Sequence, residues 1–309
     1  MPIKWRSKIL LAKLETAYGV DPAPTGGDGI LATQVSLTPM EGNDVDRELE
    51  LPYLGAQGTV PVELHAKLNF NVELVGSGTA GTAPAWGPLL RACAVAETIT
   101  ASTSVTYNPV SDNHESIAIY VWIGGTQYVL LGSRGNCTFE FNAQGIPYAK
   151  FEFTGLFKKP TEQPRVTPTL NQFQKPQVVT SANTTTFTLA GTTLVMRSCM
   201  MNLGNAVEPR FLVGSEGILI TDKSESVEMT VEATALTTID PYQMALDQAS
   251  VALSLVHGTV AGRIATLAIP NGQMQRPQGL ENSQDITEWP LRMVPVPTTG
   301  NDQWTLTLT

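Results

Sequence analysis

Charge is scarce in this sequence. Asp, Glu, Lys and Arg make up 15% of its 309 residues, against about a quarter in ordinary soluble domains. The little there is sums to a net charge of −9. That excludes a nucleic-acid grip, which needs clustered Lys and Arg on the phosphates, but not a surface past which a nucleic acid slides. The three cysteines, Cys93, Cys137 and Cys199, are odd in number and far apart. They build neither a disulfide scaffold nor a CxxC metal site, and they suit synthesis inside a cell. The three histidines, His65, His114 and His257, have no paired metal spacing. No GxSxG elbow and no P-loop occur. No apolar run is long enough to span a membrane. The stretch Ile9 to Leu14 is short and broken by Lys13, so the N-terminus is not read as a signal peptide. The expectation is a chain that is not an enzyme, with no metal and no cofactor.

Apolar residues are 42% of the chain, with 26 Gly, 21 Pro and many Thr and Ser. This mixture favours strands joined by turns, with uncharged surfaces that pack on neighbours. The clearest element is Val60 to Val75. Val60, Val62, Leu64, Ala66, Leu68, Phe70, Val72 and Leu74 alternate with polar positions that include Glu63, Lys67 and Glu73. A two-residue period puts the apolar set on one face of a strand. At about 3.3 Å per residue it would reach roughly 50 Å unbent, long for a compact monomer but suited to a barrel or a sheet shared between chains. An acidic ribbon with Glu41, Asp44, Asp46, Glu48 and Glu50 precedes it.

Residues 1–30 read as an arm, either a short basic amphipathic helix or an extended segment. Its apolar anchors are Ile3, Trp5, Leu10 and Leu14, placed to order against its own domain or a neighbour. Trp86 to Ala96 reads as a helix with Pro88 in the first turn. Gly124-Gly125 predicts a hairpin between Ile117–Ile123 and Gln127–Leu131. A turn at 143–147 separates two further alternating strands, and the first β module closes at 157. Residues 158–176 carry four prolines and read as a stiff linker. A second module, 177–309, repeats the pattern. Val227, Met229 and Val231 alternate with Glu228, Thr230 and Glu232. Asp240-Pro241 caps a short helix. Val251–His257 and Arg263–Ile269 read as strands, and the C-terminal strand ending at Thr309 needs a partner edge. The fold expected is mainly β, with two tandem β-sandwich or barrel-like modules, each flanked by a short helix.

Four segments carry a resemblance: Leu14-Glu15-Thr16-Ala17-Tyr18-Gly19, Leu51-Pro52-Tyr53-Leu54-Gly55, Gly81 to Cys93, and Phe151 to Phe157. Together they resemble the tail tube (major tail) proteins of bacteriophages with long, non-contractile tails, over about residues 1–157. The resemblance implies sandwich modules whose long strands join between subunits around a lumen. Rings then stack into a tube through which genomic DNA passes without specific binding. Most members supply one module to a hexameric ring, so a chain with two implies three copies per ring. The partners implied are further copies of the chain and the adjoining tail-tip, baseplate and tail terminator proteins. The implied place is the virion tail after synthesis in the host cytoplasm. If the polar strand faces turn inward, Glu63, Glu73, Glu228 and Glu232 are lumen acids that repel phosphates. Otherwise they belong to an ordinary solvated face, and Lys67 dilutes the charge. The competing readings are another viral β protein, such as a tail terminator or capsid decoration protein, and a soluble carbohydrate-binding β-sandwich.

Overall fold

The computed structural model describes residues 4–309. Its first half contains strands β1 (Lys8–Leu14), β2 (Thr33–Asp46), β3 (Thr59–Glu73), β4 (Val95–Thr100), β5 (Ser104–Pro109), β6 (Ile117–Ile123), β7 (Thr126–Asn142) and β8 (Tyr148–Glu162), with helix α1 (Gly87–Arg91) between β3 and β4. The second half holds β9 (Thr184–Leu189), β10 (Thr192–Thr193), β11 (Met196–Asn202), β12 (Asn205–Leu212), β13 (Ser215–Lys223) and β14 (Ser226–Glu232). Helix α2 (Pro241–Leu246) follows, then β15 (Ser250–His257), β16 (Ala265–Met274), β17 (Glu281–Ser283), β18 (Ile286–Pro295) and β19 (Thr305–Leu308).

The chain is mainly β, as expected, but its halves are not set apart. Among the described residues seventeen strands form one continuous antiparallel sheet, and only β12–β13 stands outside it. Two crossings join the halves. β11 pairs with the far end of β7, Met200 opposite Glu140. The C-terminal strand β19 lies between β16 and the first half's β5, with Leu306 facing both Leu267 and Tyr107. The core is continuous as well. Trp304 packs edge-on against Phe139 at 6.0 Å, and Phe141 against His257 at 6.1 Å.

Local chemistry accounts for most elements. Gly124, at φ 67°, turns β6 into β7. Asp240 caps α2 by accepting from the Tyr242 and Gln243 amides at 3.0 and 2.9 Å. The helix expected over 86–96 ends at Arg91, because Ala94 enters the left-handed region (φ 55°) and the chain becomes β4. Residues 8–14 are extended, not helical, and pair with β6 along their whole length. β8 runs to Glu162, into the proline-bearing segment.

Strand order recurs. In the first half, pairing runs β1–β6–β7–β8–β3–β2. In the second half it runs β9–β15–β16–β18–β14–β11. β19 continues β18 alongside β16, as the end of β8 does alongside β7.

Candidate functional site: a two-faced sheet and its open edges

Six strands, β3, β8, β7, β11, β14 and β18, lie side by side, and their registers sort the side chains into two faces. Val72, Ala149, Phe139, Met201, Val227 and Met293 sit opposite one another in sequence. All six are buried, so this row forms the inner wall of the core. The next row, on the other face, is Glu73, Tyr148, Glu140, Met200, Glu228 and Arg292. A further polar row follows: Asn71, Lys150, Thr138, Asn202 and Ser226. The period of two that separates apolar from polar positions in single strands therefore extends over both halves as one polar surface.

Three of the four acids singled out in the sequence, Glu73, Glu228 and Glu232, lie on this surface. Glu63 does not join them in register. It sits further out on the β2–β3 hairpin at φ 57°, where the alternation slips, and accepts from the Asn43 amide at 2.6 Å. Two acids that sequence reasoning missed share the face, Glu140 and Glu152. Their alternation with Phe139, Phe141, Phe151 and Phe153 was the available signal.

The surface is partly neutralised. Lys150 pairs with Glu140 at 2.8 Å, Lys67 with Glu41 at 2.7 Å, and Arg292 with Glu228. Among the described residues Glu73, Glu152 and Glu232 have no ion-pair partner. Partial burial raises the Glu73 carboxyl above the ordinary glutamate value. The face is thus polar, with small acidic patches between ion pairs.

The arm residues separate. Leu10 is buried and Leu14 packs against the core from β1, so both anchor within their own chain. Trp5 is 66% exposed, with the Lys8 ammonium 3.7 Å from its ring centre. Ile3 lies outside the described residues.

The described His, Cys, Asp and Glu residues form no metal-binding group. The three thiols are fully buried, and burial pushes each pKa up, Cys199 to about 12, so none is a nucleophile.

The outer strand edges remain open. Among the described residues β2 pairs with β3 only, leaving its other edge without a strand, and its hairpin exposes Met40, Val45, Leu49, Leu51, Tyr53, Leu54 and Val60. An apolar hairpin with an unpaired edge is a template for another chain.

No curated protein sequence matches the chain. The family described as phage tail tube protein matches residues 5–293. The match spans both halves, including the second, where sequence reading found the strand pattern but no motif. The chain belongs to the phage tail tube protein family and is a structural, non-catalytic subunit that self-associates into the tube of the virion tail.

Proposed function

We propose that the chain is a duplicated tail-tube module and that three copies close each ring of the tube. The observation that carries this reading is the recurring strand order, β1–β6–β7–β8–β3–β2 against β9–β15–β16–β18–β14–β11. The domains are an arm (1–30), a first module (31–157), a linker (158–176) and a second module (177–309), joined by the β7–β11 and β5–β19 pairings. Between them, β2–β3–β8–β7 and β11–β14–β18–β16 supply eight adjacent strands. Three copies then provide a closed barrel with no unpaired edge. A heterologous contact that closes on rotation makes a ring, and its axial repeat makes a tube.

The polar face turns to the lumen, where Glu73, Glu228 and Glu232 stand with Glu140 and Glu152. Ion pairing to Arg292 and Lys150 offsets part of their charge. A wall of mixed polarity and slight acidity gives phosphates no cluster of cations on which to stall. Glu63 lies at the rim, on the hairpin. Trp5 reaches a neighbouring copy, while Leu10 and Leu14 hold the arm to its own sheet. The tube ends meet tail-tip, baseplate and tail terminator proteins, and the subunit is made in the host cytoplasm before joining the virion tail.

Mass photometry over a concentration series tests the stoichiometry. Species at three chain masses and their multiples are expected. Closed rings of six chains, or rings of any size other than three, would overturn the duplicated-module reading.

A further inference from the structure

The two halves put the same hairpin in two different situations. In the second half, β11 continues into β12 and β13 returns into β14, so β12–β13 is the outer part of a long hairpin like β2–β3. Equivalent hydrogen bonds after the two helices fix the correspondence: Gly135 donates its amide to the Ala92 carbonyl beyond α1, and Met274 to the Ala249 carbonyl beyond α2, each at 3.2 Å. Gly135 of β7 lies opposite Phe153, and Phe153 opposite Leu68. Met274 of β16 lies opposite Met293, and Met293 opposite Val227. Gly135 therefore matches Met274, and Leu68 matches Val227. Since Met201 pairs with Val227 and Leu37 with Leu68, Met201 matches Leu37, and Asn205 falls at the bulged stretch from Glu41 to Asn43.

The β12–β13 hairpin is seated on the first half. Asn205 donates its side-chain amide to the carbonyls of Cys93 and Gly135 at 2.7 and 3.0 Å. Lys223 donates to the carbonyls of Ala94 and Val110 at 2.6 and 2.8 Å. Tyr18 accepts from the Ile218 amide through its hydroxyl at 2.6 Å. Ile218 and Ile220 are buried as a result. The seat is the tail of α1 together with the neighbouring stretch of β7.

A corresponding surface exists in the second half, built from the α2 tail and β16 but without the β4–β5 hairpin that leads to Val110. The tail of α2 enters β15 through Gln248 at φ 52°, as the tail of α1 enters β4 through Ala94 at φ 55°. Beside it a cleft of about 630 Å³ is lined by Ala245, Gln248, Met274, Arg276, Gln278 and Arg292, among others. Leu246, on the helix, is 78% exposed. Arg276 has no ion pair among the described residues. The hairpin without a seat, β2–β3, carries the complementary character. It exposes Met40, Val45 and Val60, and it is acidic through Glu41, Asp44, Asp46, Glu48 and Glu50.

We infer that the β2–β3 hairpin of one copy docks into the α2–β16 cleft of the next copy, repeating between chains the contact that β12–β13 makes within one chain. Leu246 is the apolar anchor of this interface and Arg276 its charge partner. The hairpin's base at Glu41 approaches Gln248, as Asn205 approaches the α1 tail. The inference rests on the ring reading above, and it specifies which surface makes the heterologous contact.

Two single variants, Glu41→Cys and Gln248→Cys, test it when mixed in equal amounts, assembled and treated with a short bis-maleimide. The native thiols are fully buried and do not compete. A cross-linked band of two chains is expected from the mixture and from neither variant alone. Assembled rings or tubes without that band would overturn the docking while leaving the tube reading intact. A wild-type protein that stays monomeric at every concentration would overturn the ring reading itself. In a second arm, Leu246→Asp should lower the assembled fraction about tenfold or more, as expected on losing a leucine anchor from an interface. Its melting temperature should not change, because the side chain is exposed in the monomer. Normal assembly of Leu246→Asp would also overturn the docking.

Discussion

The hairpins β2–β3 and β12–β13 grow from corresponding positions in the two strand orders, yet one is bare and the other covered. The covered one buries Ile218 and Ile220 and is tied to the first half by Asn205 and Lys223. The bare one exposes seven large apolar side chains between Met40 and Val60. Its acidic residues oppose indiscriminate pairing along the free edge. On the duplicated-module reading, the two hairpins divide the work. The contact internal to the chain contributes to folding, whereas the proposed repeat between chains would contribute to assembly.

The contact between the halves is the strongest part of this comparison, and Trp304→Ala is the severest way to break it. The indole bridges β19 to Phe139 of the first half at 6.0 Å and is fully buried. Its loss should cost about 3–5 kcal/mol. Because the core is continuous, calorimetry should show a single transition moved to lower temperature. Two separate transitions would mean that the halves fold independently.

Paired substitutions in the hairpins sharpen the comparison. Ile218→Ala, in the covered hairpin, should cost about 2–5 kcal/mol in urea unfolding. Val45→Ala, in the bare hairpin, should change monomer stability by less than about 0.5 kcal/mol while reducing the assembled fraction in sedimentation. Equal destabilisation by the two would erase the distinction between a folding contact and an assembly contact.

The smallest effect concerns Lys223. Burial lowers its amine to about 8 from an ordinary value of 10.5, with nearby Glu225 and Cys93 opposing the shift, while His114 lines the same cleft. Between those two values the unfolded chain binds a proton that the folded chain has released. Stability from this group therefore rises as pH increases through that window, and it is lost as pH falls through about 8. Thermal melts of the wild type should show this rise relative to Lys223→Met. Parallel pH profiles of the two proteins would contradict it.

Much of the fold is legible in the sequence because its signals are local. The alternation of Val60 to Leu74, the Gly124-Gly125 turn and the Asp240-Pro241 helix start each report a neighbourhood of a few residues. The polar face was legible strand by strand, which is how Glu73, Glu228 and Glu232 came to notice. What stayed hidden is non-local. Nothing near Leu306 announces that its strand inserts between Leu267 and Tyr107. Nothing near Leu10 distinguishes an anchor on its own sheet from one on a neighbour. Arg292 cannot be recognised as the partner of Glu228 until β14 and β18 lie together. The strands between 184 and 223 did leave a trace. Ala190-Gly191 and Val213-Gly214 are tight hairpin turns, with φ of 52° and 77° at the first pair and 87° at Gly214.

Electron microscopy of assembled tubes at side-chain resolution tests the central claim most directly. Rings of three chains are expected, with the two halves alternating at six near-equivalent positions, the Glu73–Glu228 face lining the channel, and each β2–β3 hairpin resting on the α2 tail of the next chain. Rings of six chains, or a channel lined by the opposite face of the sheet, would contradict it.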